Sequence, residues 1–74
     1  MSEVRDIIDI TNGNPGALQV MYELMKRHES QLSVILKLLN ANGIRGSNIW
    51  SIYKLCNKNI DNFVKYILET YKLV

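Results

Sequence analysis

The chain holds one cysteine, Cys56, and one histidine, His28, in 74 residues. A lone cysteine excludes an internal disulfide, and one cysteine with one histidine falls short of a four-ligand structural zinc site. Net charge is small as well. Nine Lys plus Arg against seven Asp plus Glu leave +2, too weak a field to demand DNA, RNA or an acidic membrane as partner. No apolar run approaches the roughly 18 residues of a membrane span, and the opening Met1-Ser2-Glu3-Val4-Arg5-Asp6 lacks signal-peptide chemistry. A cytosolic location without membrane contact is therefore expected. No segment alternates with period two between hairpin turns, and neither repeats nor low-complexity tracts occur.

What is there is enough to fold. Apolar residues make up 47% and charged residues 22%, close to the globular average. So short a chain buries only roughly 60–65% of its unfolded surface, so one domain over residues 1–74 is expected, held by packing with help from self-association.

Helical spacing predicts an all-α fold, a compact bundle of four to five short helices. Val4, Ile7, Ile8 and Thr11 mark a first helix over about residues 2–11, with Ser2 able to cap it. In Asn12-Gly13-Asn14-Pro15-Gly16, Asn14 is placed to cap a second helix and Pro15 to occupy its first position, where a missing N–H costs nothing. That helix, to about Arg27, has an apolar set of Leu18, Met21, Tyr22 and Met25, with Val20 and Leu24 beside them, wide enough to imply contacts on two sides. Ser30 reads as the cap of a third helix along Leu32, Ile35, Leu36 and Leu39. This helix is expected at the centre, with Gly43 as its stop. Ser47 or Asn48 can cap a fourth carrying Ile49, Trp50, Ile52, Tyr53 and Cys56. Asn59 caps a fifth, with Asp61 in its first turn and Ile60, Phe63, Val64, Ile67, Leu68 and Tyr71 along one face.

Candidates for chemistry are few. Nothing places Cys56 or a serine beside a base, so no enzyme activity, catalytic residue or cofactor is expected. Cys56 reads as a buried thiol and His28 as a solvated residue near a helix end. Asp6 and Asp9 lie three apart on an exposed helix face and make no metal site by themselves. Lys26, Arg27, Lys54, Lys58, Lys65 and Lys72 are scattered in the manner of solvated faces.

Two segments accept a local cost. Gly16 falls at the second helical position, where alanine would suit the helix better by up to about 1 kcal/mol. A glycine there admits either a neighbouring helix or a ligand, and first-turn amides favour an anion. The segment Ile44-Arg45-Gly46-Ser47-Asn48-Ile49-Trp50 repeats the pattern. Arg45 offers a fork for phosphate or carboxylate oxygens, Gly46 and Ser47 add donors at a helix start, and Trp50 or Tyr53 can stack on a base with Lys54 close by. A plainer reading makes Gly43 a helix stop, Ser47 a cap, Trp50 core and Arg45 surface. Neither a Walker pattern nor a GxGxxG is present. The tyrosines and Trp50 also suit a core or an interface.

Gly13-Asn14-Pro15-Gly16-Ala17, followed by Gly43-Ile44-Arg45-Gly46-Ser47-Asn48-Ile49-Trp50 and then Tyr53-Lys54, Cys56, Ile60 and Phe63, resembles a family of short proteins of phages and prophages of Gram-positive bacteria. The resemblance covers about residues 6–68. It departs at Asn48, where an acidic residue is common, and that leaves a less negative helix start here. The resemblance implies a setting in the bacterial host cytoplasm. Small phage proteins without catalytic groups act there by binding a host protein or a nucleotide signal of host immunity.

Two functions are therefore expected to compete. In the first, a homo-oligomeric binding protein modulates a host defence process. It either sequesters a phosphorylated nucleotide at Asn14, Gly16, Arg45, Gly46, Ser47, Trp50, Tyr53 and Lys54, or meets a host protein with the same surface. In the second, the third and fourth helices form a helix-turn-helix that turns Arg45, Ser47, Asn48, Ser51 and Lys54 toward DNA. The modest charge and a fourth-helix face spent on Ile49, Trp50, Ile52 and Tyr53 make nucleic acid the weaker expectation.

Overall fold

Five α-helices form in the computed structural model, which describes residues 2–71 and the side chains from residue 5 onward. They are α1 (Ser2–Thr11), α2 (Pro15–Arg27), α3 (Leu32–Ala41), α4 (Ser47–Leu55) and α5 (Ile60–Thr70). No strand occurs among the described residues, and no helix among them is long and apolar enough to cross a membrane. The expected side-chain roles of Ser2 and Val4, and the placement of Lys72, lie outside what is described.

Asn14 begins α2 as anticipated: its Oδ1 accepts from the Ala17 N–H at 2.9 Å, with Pro15 at the first helical position. Asn59 begins α5 in the same way, accepting from the Asn62 N–H at 3.0 Å, and Asp61 stands in the first turn beside the positive dipole end. Helix α3 ends in a paired cap. The Gly43 N–H donates to the Asn40 carbonyl at 3.2 Å and the Ile44 N–H to the Leu39 carbonyl at 2.9 Å. Gly43 sits at φ +68°, where a Cβ would be strained.

Two expected caps are corrected. Ser30 does not begin α3, because a 3-10 turn over Glu29–Gln31 intervenes and Gln31 leads into the helix without a side-chain cap. Neither Ser47 nor Asn48 caps α4. Gly46 holds that position at φ 53° and ψ −128°, a backbone region open to glycine alone, and no side chain caps it. Ser47 is instead the first helical residue, its carbonyl accepting from the Ser51 Oγ at 3.1 Å.

Helix α2 is the hub. It packs against α1, α4 and α5, whereas α3, expected at the centre, packs on α1 and α5. The α2 stripe of Ala17, Val20, Met21 and Leu24 meets Ile35, Leu38 and Leu39 of α3, Ile49 and Tyr53 of α4, and Ile60, Phe63, Val64 and Ile67 of α5 in one buried cluster. Helix α1 adds Ile10 and the buried Thr11, with Ile7 half-buried against them, while Ile8 is 61% exposed. The second apolar face of α2, Leu18, Tyr22 and Met25, also meets solvent. The Cα radius of gyration is 10.8 Å, near the roughly 11 Å of a compact chain of this length.

Helices α2 and α4 approach closely at Gly16. A Cβ built on Gly16 would stand 2.7 Å from Trp50 Cδ2 and 2.8 Å from Cγ, inside any real carbon contact. These are root atoms of the indole, which cannot swing aside without moving the whole ring. Nearby, the Gly46 N–H donates to the Ile10 carbonyl at 2.7 Å, tying the start of α4 to the last turn of α1. The two glycine-bearing segments are thus packed on each other.

Gly16→Ala is expected to destabilise the fold by about 1–3 kcal/mol through overpacking, despite the helix-propensity gain. That corresponds to a melting temperature lower by roughly 4–8 °C per kcal/mol. In a Trp50→Ala background the same change should be neutral or stabilising, and thermal melts of the four proteins in the cycle measure the coupling. Equal losses in both backgrounds would contradict the contact.

Candidate functional site around Arg45

A concavity of about 630 Å³ forms an open groove between α1 and α3 that ends at Arg45. Its floor is apolar: Ile10 and Leu36 are 4% and 3% exposed, and Ile8 stands at the rim. Asp6 and Asp9, three residues apart, line the α1 side with their carboxylates in solvent. Lys37 and Asn40, again three apart, line the α3 side. Asn12 and Gly13 close the end toward the α1–α2 turn. Arg45 is exposed, and its Nη2 donates to Asn40 Oδ1 at 3.3 Å, which draws the guanidinium toward the α3 wall. The Gly43 cap of α3 and the Gly46–Ile10 bond fix the two ends of the short segment that carries it.

The remaining candidate residues fall elsewhere. Asn14 spends its side-chain oxygen on capping α2. The backbone of Gly16 is covered by the Trp50 ring, so of the two visitors its missing side chain admits, the neighbouring helix is the one present. Gly46 and Ser47 begin α4 outside the groove lining, and Gly46 directs its N–H to Ile10. Trp50 is half-buried, with the Lys58 ammonium 5.6 Å from its ring centroid and Tyr53 at 5.6 Å between centroids. Tyr53 is buried and also meets Phe63 edge-on at 6.2 Å, so its ring offers no face to a base. Lys54 is exposed on the outer side of α4. Of the eight, Arg45 alone lines the groove. The starts of α2 and α4 meet through Gly16 and Trp50, and they do not open together onto the concavity.

Reading the chain residue by residue passes over Lys37 and Asn40 and takes Asp6 and Asp9 as solvated. The i, i+3 spacing of both pairs is visible, but nothing local shows that α1 and α3 lie side by side. His28 is also placed differently from expectation. It ends α2, its Nε2 lies 2.6 Å from Asp61 Oδ1 and its Nδ1 3.2 Å from Gln31 Oε1, so it links the α2–α3 connection to the start of α5. Leu55, at 83% exposed, is the most exposed large apolar side chain described.

No group of three or more His, Cys, Asp or Glu suited to a metal occurs among the described residues. Comparisons with protein-family models, with curated proteins and with solved structures return no match. The structure itself establishes a small, compact, all-helical protein.

Burial shifts three groups. The Cys56 thiol is pushed above its ordinary 9.0 by desolvation. The Tyr53 hydroxyl is pushed above 10.0 by desolvation and by the Glu23 carboxylate, with Arg27 partly offsetting. Tyr71 rises likewise through desolvation and its neighbour Tyr66. An acid whose folded pKa is raised stabilises the fold below its unfolded pKa, and that contribution is lost as pH rises toward the folded value. The melting temperature is therefore expected to hold to about pH 8 and to fall above about pH 9, less steeply in Cys56→Ser and Tyr53→Phe. Thermal melts across pH 7–11 check this, and a flat profile would contradict it.

Proposed function

We propose that this is a non-enzymatic binding protein that meets a partner protein at the groove around Arg45. The observation that carries the reading is the groove itself, an apolar floor rimmed by exposed charges of both signs. Partner proteins are met by such a combination of apolar centre and polar rim. Among the described residues no nucleophile stands beside a base, which supports the non-enzymatic half. Cys56 keeps its proton through burial, and His28 points its nitrogens at Gln31 and Asp61, neither of which is a nucleophile for such a base.

A phosphorylated nucleotide draws less support. Asp6 and Asp9 share the groove with Arg45 and would repel phosphates, while Trp50 and Tyr53 are committed to α2 and the core. A helix-turn-helix draws less still, because α4 packs chiefly on α2 rather than on α3, and its outer residues Ser47, Asn48, Ser51, Lys54 and Leu55 carry a single cation. Self-association belongs to the proposal, with Leu18, Tyr22 and Met25 as the apolar face available to it. The motif resemblance adds the setting: the partner belongs to a host process of a bacterial cytoplasm, which the protein modulates.

Pull-down from a bacterial lysate is expected to return a discrete partner with wild type and to lose it by roughly tenfold or more with Arg45→Glu, the scale of removing a contact-surface charge and leaving its partner unpaired. Titration calorimetry against cyclic and linear nucleotides should give no heat at about millimolar ligand. Micromolar nucleotide binding abolished by the same substitution would contradict the reading.

A further inference from the structure

We infer that the groove receives a helical segment of the partner whose two flanks carry opposite charge, a cation facing Asp6 and Asp9 and a carboxylate facing Lys37 and Arg45. The inference deepens the reading of the groove as the contact surface and rests on it.

The argument begins with pairs that do not form. The ion pairs among the described residues are Glu23–Arg27 and His28–Asp61. Asp6 and Asp9 on one wall and Lys37 and Arg45 on the other therefore stand unpaired with each other, although all four line one groove. Two walls of opposite sign along one groove are complementary to an occupant with the reverse polarity across its width. A polyanion would meet Asp6 and Asp9, and a uniformly basic segment would meet Lys37 and Arg45. A segment charged oppositely on its two sides satisfies both walls. Complementarity of this kind selects partners and sets register more than it adds raw affinity.

The walls are themselves packed helices, and a third helix seats on such a pair by laying its apolar ridge along the furrow between them. Residues at i, i+3 and i+4 of that helix would cover Ile8, the exposed apolar side chain of the lining, and those flanking the ridge would reach the charged rims. Asp6 and Asp9 are themselves one helical turn apart, as are Lys37 and Asn40, so a helical partner can match the spacing on both sides.

Three labelled synthetic helices of about 18 residues with one common Leu/Ala ridge, long enough to span the groove, provide the probe. Their flanks are Lys and Glu, Lys on both sides, or Glu on both sides, and binding is read by fluorescence anisotropy at low salt. Wild type is expected to favour the Lys/Glu peptide by roughly tenfold, the scale of several rim charge pairs. Asp6→Lys with Asp9→Lys should transfer the preference to the Glu/Glu peptide, and Lys37→Glu with Arg45→Glu to the Lys/Lys peptide. Circular dichroism confirms that each variant is folded. Amide shifts at Leu36, Lys37 and Asn40 of wild type on adding the Lys/Glu peptide would place it in the groove. Equal binding of all three peptides by wild type, or none up to about 1 mM, overturns the inference. If that happens while Arg45→Glu still abolishes partner capture, the contact surface stands and its charge chemistry falls; if capture also survives Arg45→Glu, both fall. A wild-type dimer in sedimentation that is lost in Asp6→Lys with Asp9→Lys would assign the groove to a second copy and likewise overturn it.

Discussion

Trp50 lies against helix α2 because residue 16 has no side chain, and the rest of the molecule is arranged around that contact. With the indole seated there, α4 is brought down onto α2, and Gly46 is carried to the last turn of α1, where its N–H meets the Ile10 carbonyl. The segment between Gly43 and Gly46 has nowhere else to run, so Arg45 is delivered to the end of the α1–α3 furrow. In a chain with no disulfide to limit the unfolded ensemble, contacts of this kind have to supply the uniqueness of the fold.

This changes the meaning of features that resemble an anion site. A glycine at a helix start, free first-turn amides, an arginine and nearby aromatic rings are the ingredients of phosphate binding. Here the glycine receives a ring, one capping oxygen is already used, and the Gly46 amide is bonded to α1. The same residue types at the same spacing serve packing, and the exposed charges that line the groove are Asp6, Asp9, Lys37 and Arg45. Two charges of each sign make that lining too balanced to favour a polyanion.

The helix boundaries were legible in the sequence because their signals are local. Asn14 with Pro15, Gly43 and Asn59 each act on amides or carbonyls within a few residues, and spacing alone identified the core faces of α3 and α5; on α2 it favoured Leu18, Tyr22 and Met25, which are exposed, beside Val20, Met21 and Leu24, which are buried. Where the reading failed, the deciding partner is distant in sequence. Ser30 gives way to a 3-10 turn where His28 turns toward Gln31 and Asp61, the latter 33 positions away. Gly16 could not be assigned to helix or ligand until Trp50 was seen against it. The groove joins residues 6–13 to residues 36–45, and only Arg45 carried a local signal strong enough to be noticed. Tyr53 was offered to a ligand because aromatic position on a helix does not by itself say which side meets the core.

The central claim is that the two glycine segments form one interlock that persists as long as the fold does. Native-state hydrogen exchange at the Gly46 amide tests it directly, since that proton is held in the bond to Ile10. Exchange with the free energy of global unfolding, matching the core amides of α2, is the predicted result. Exchange at the rate of an exposed loop amide, well ahead of the α2 core, would contradict the account.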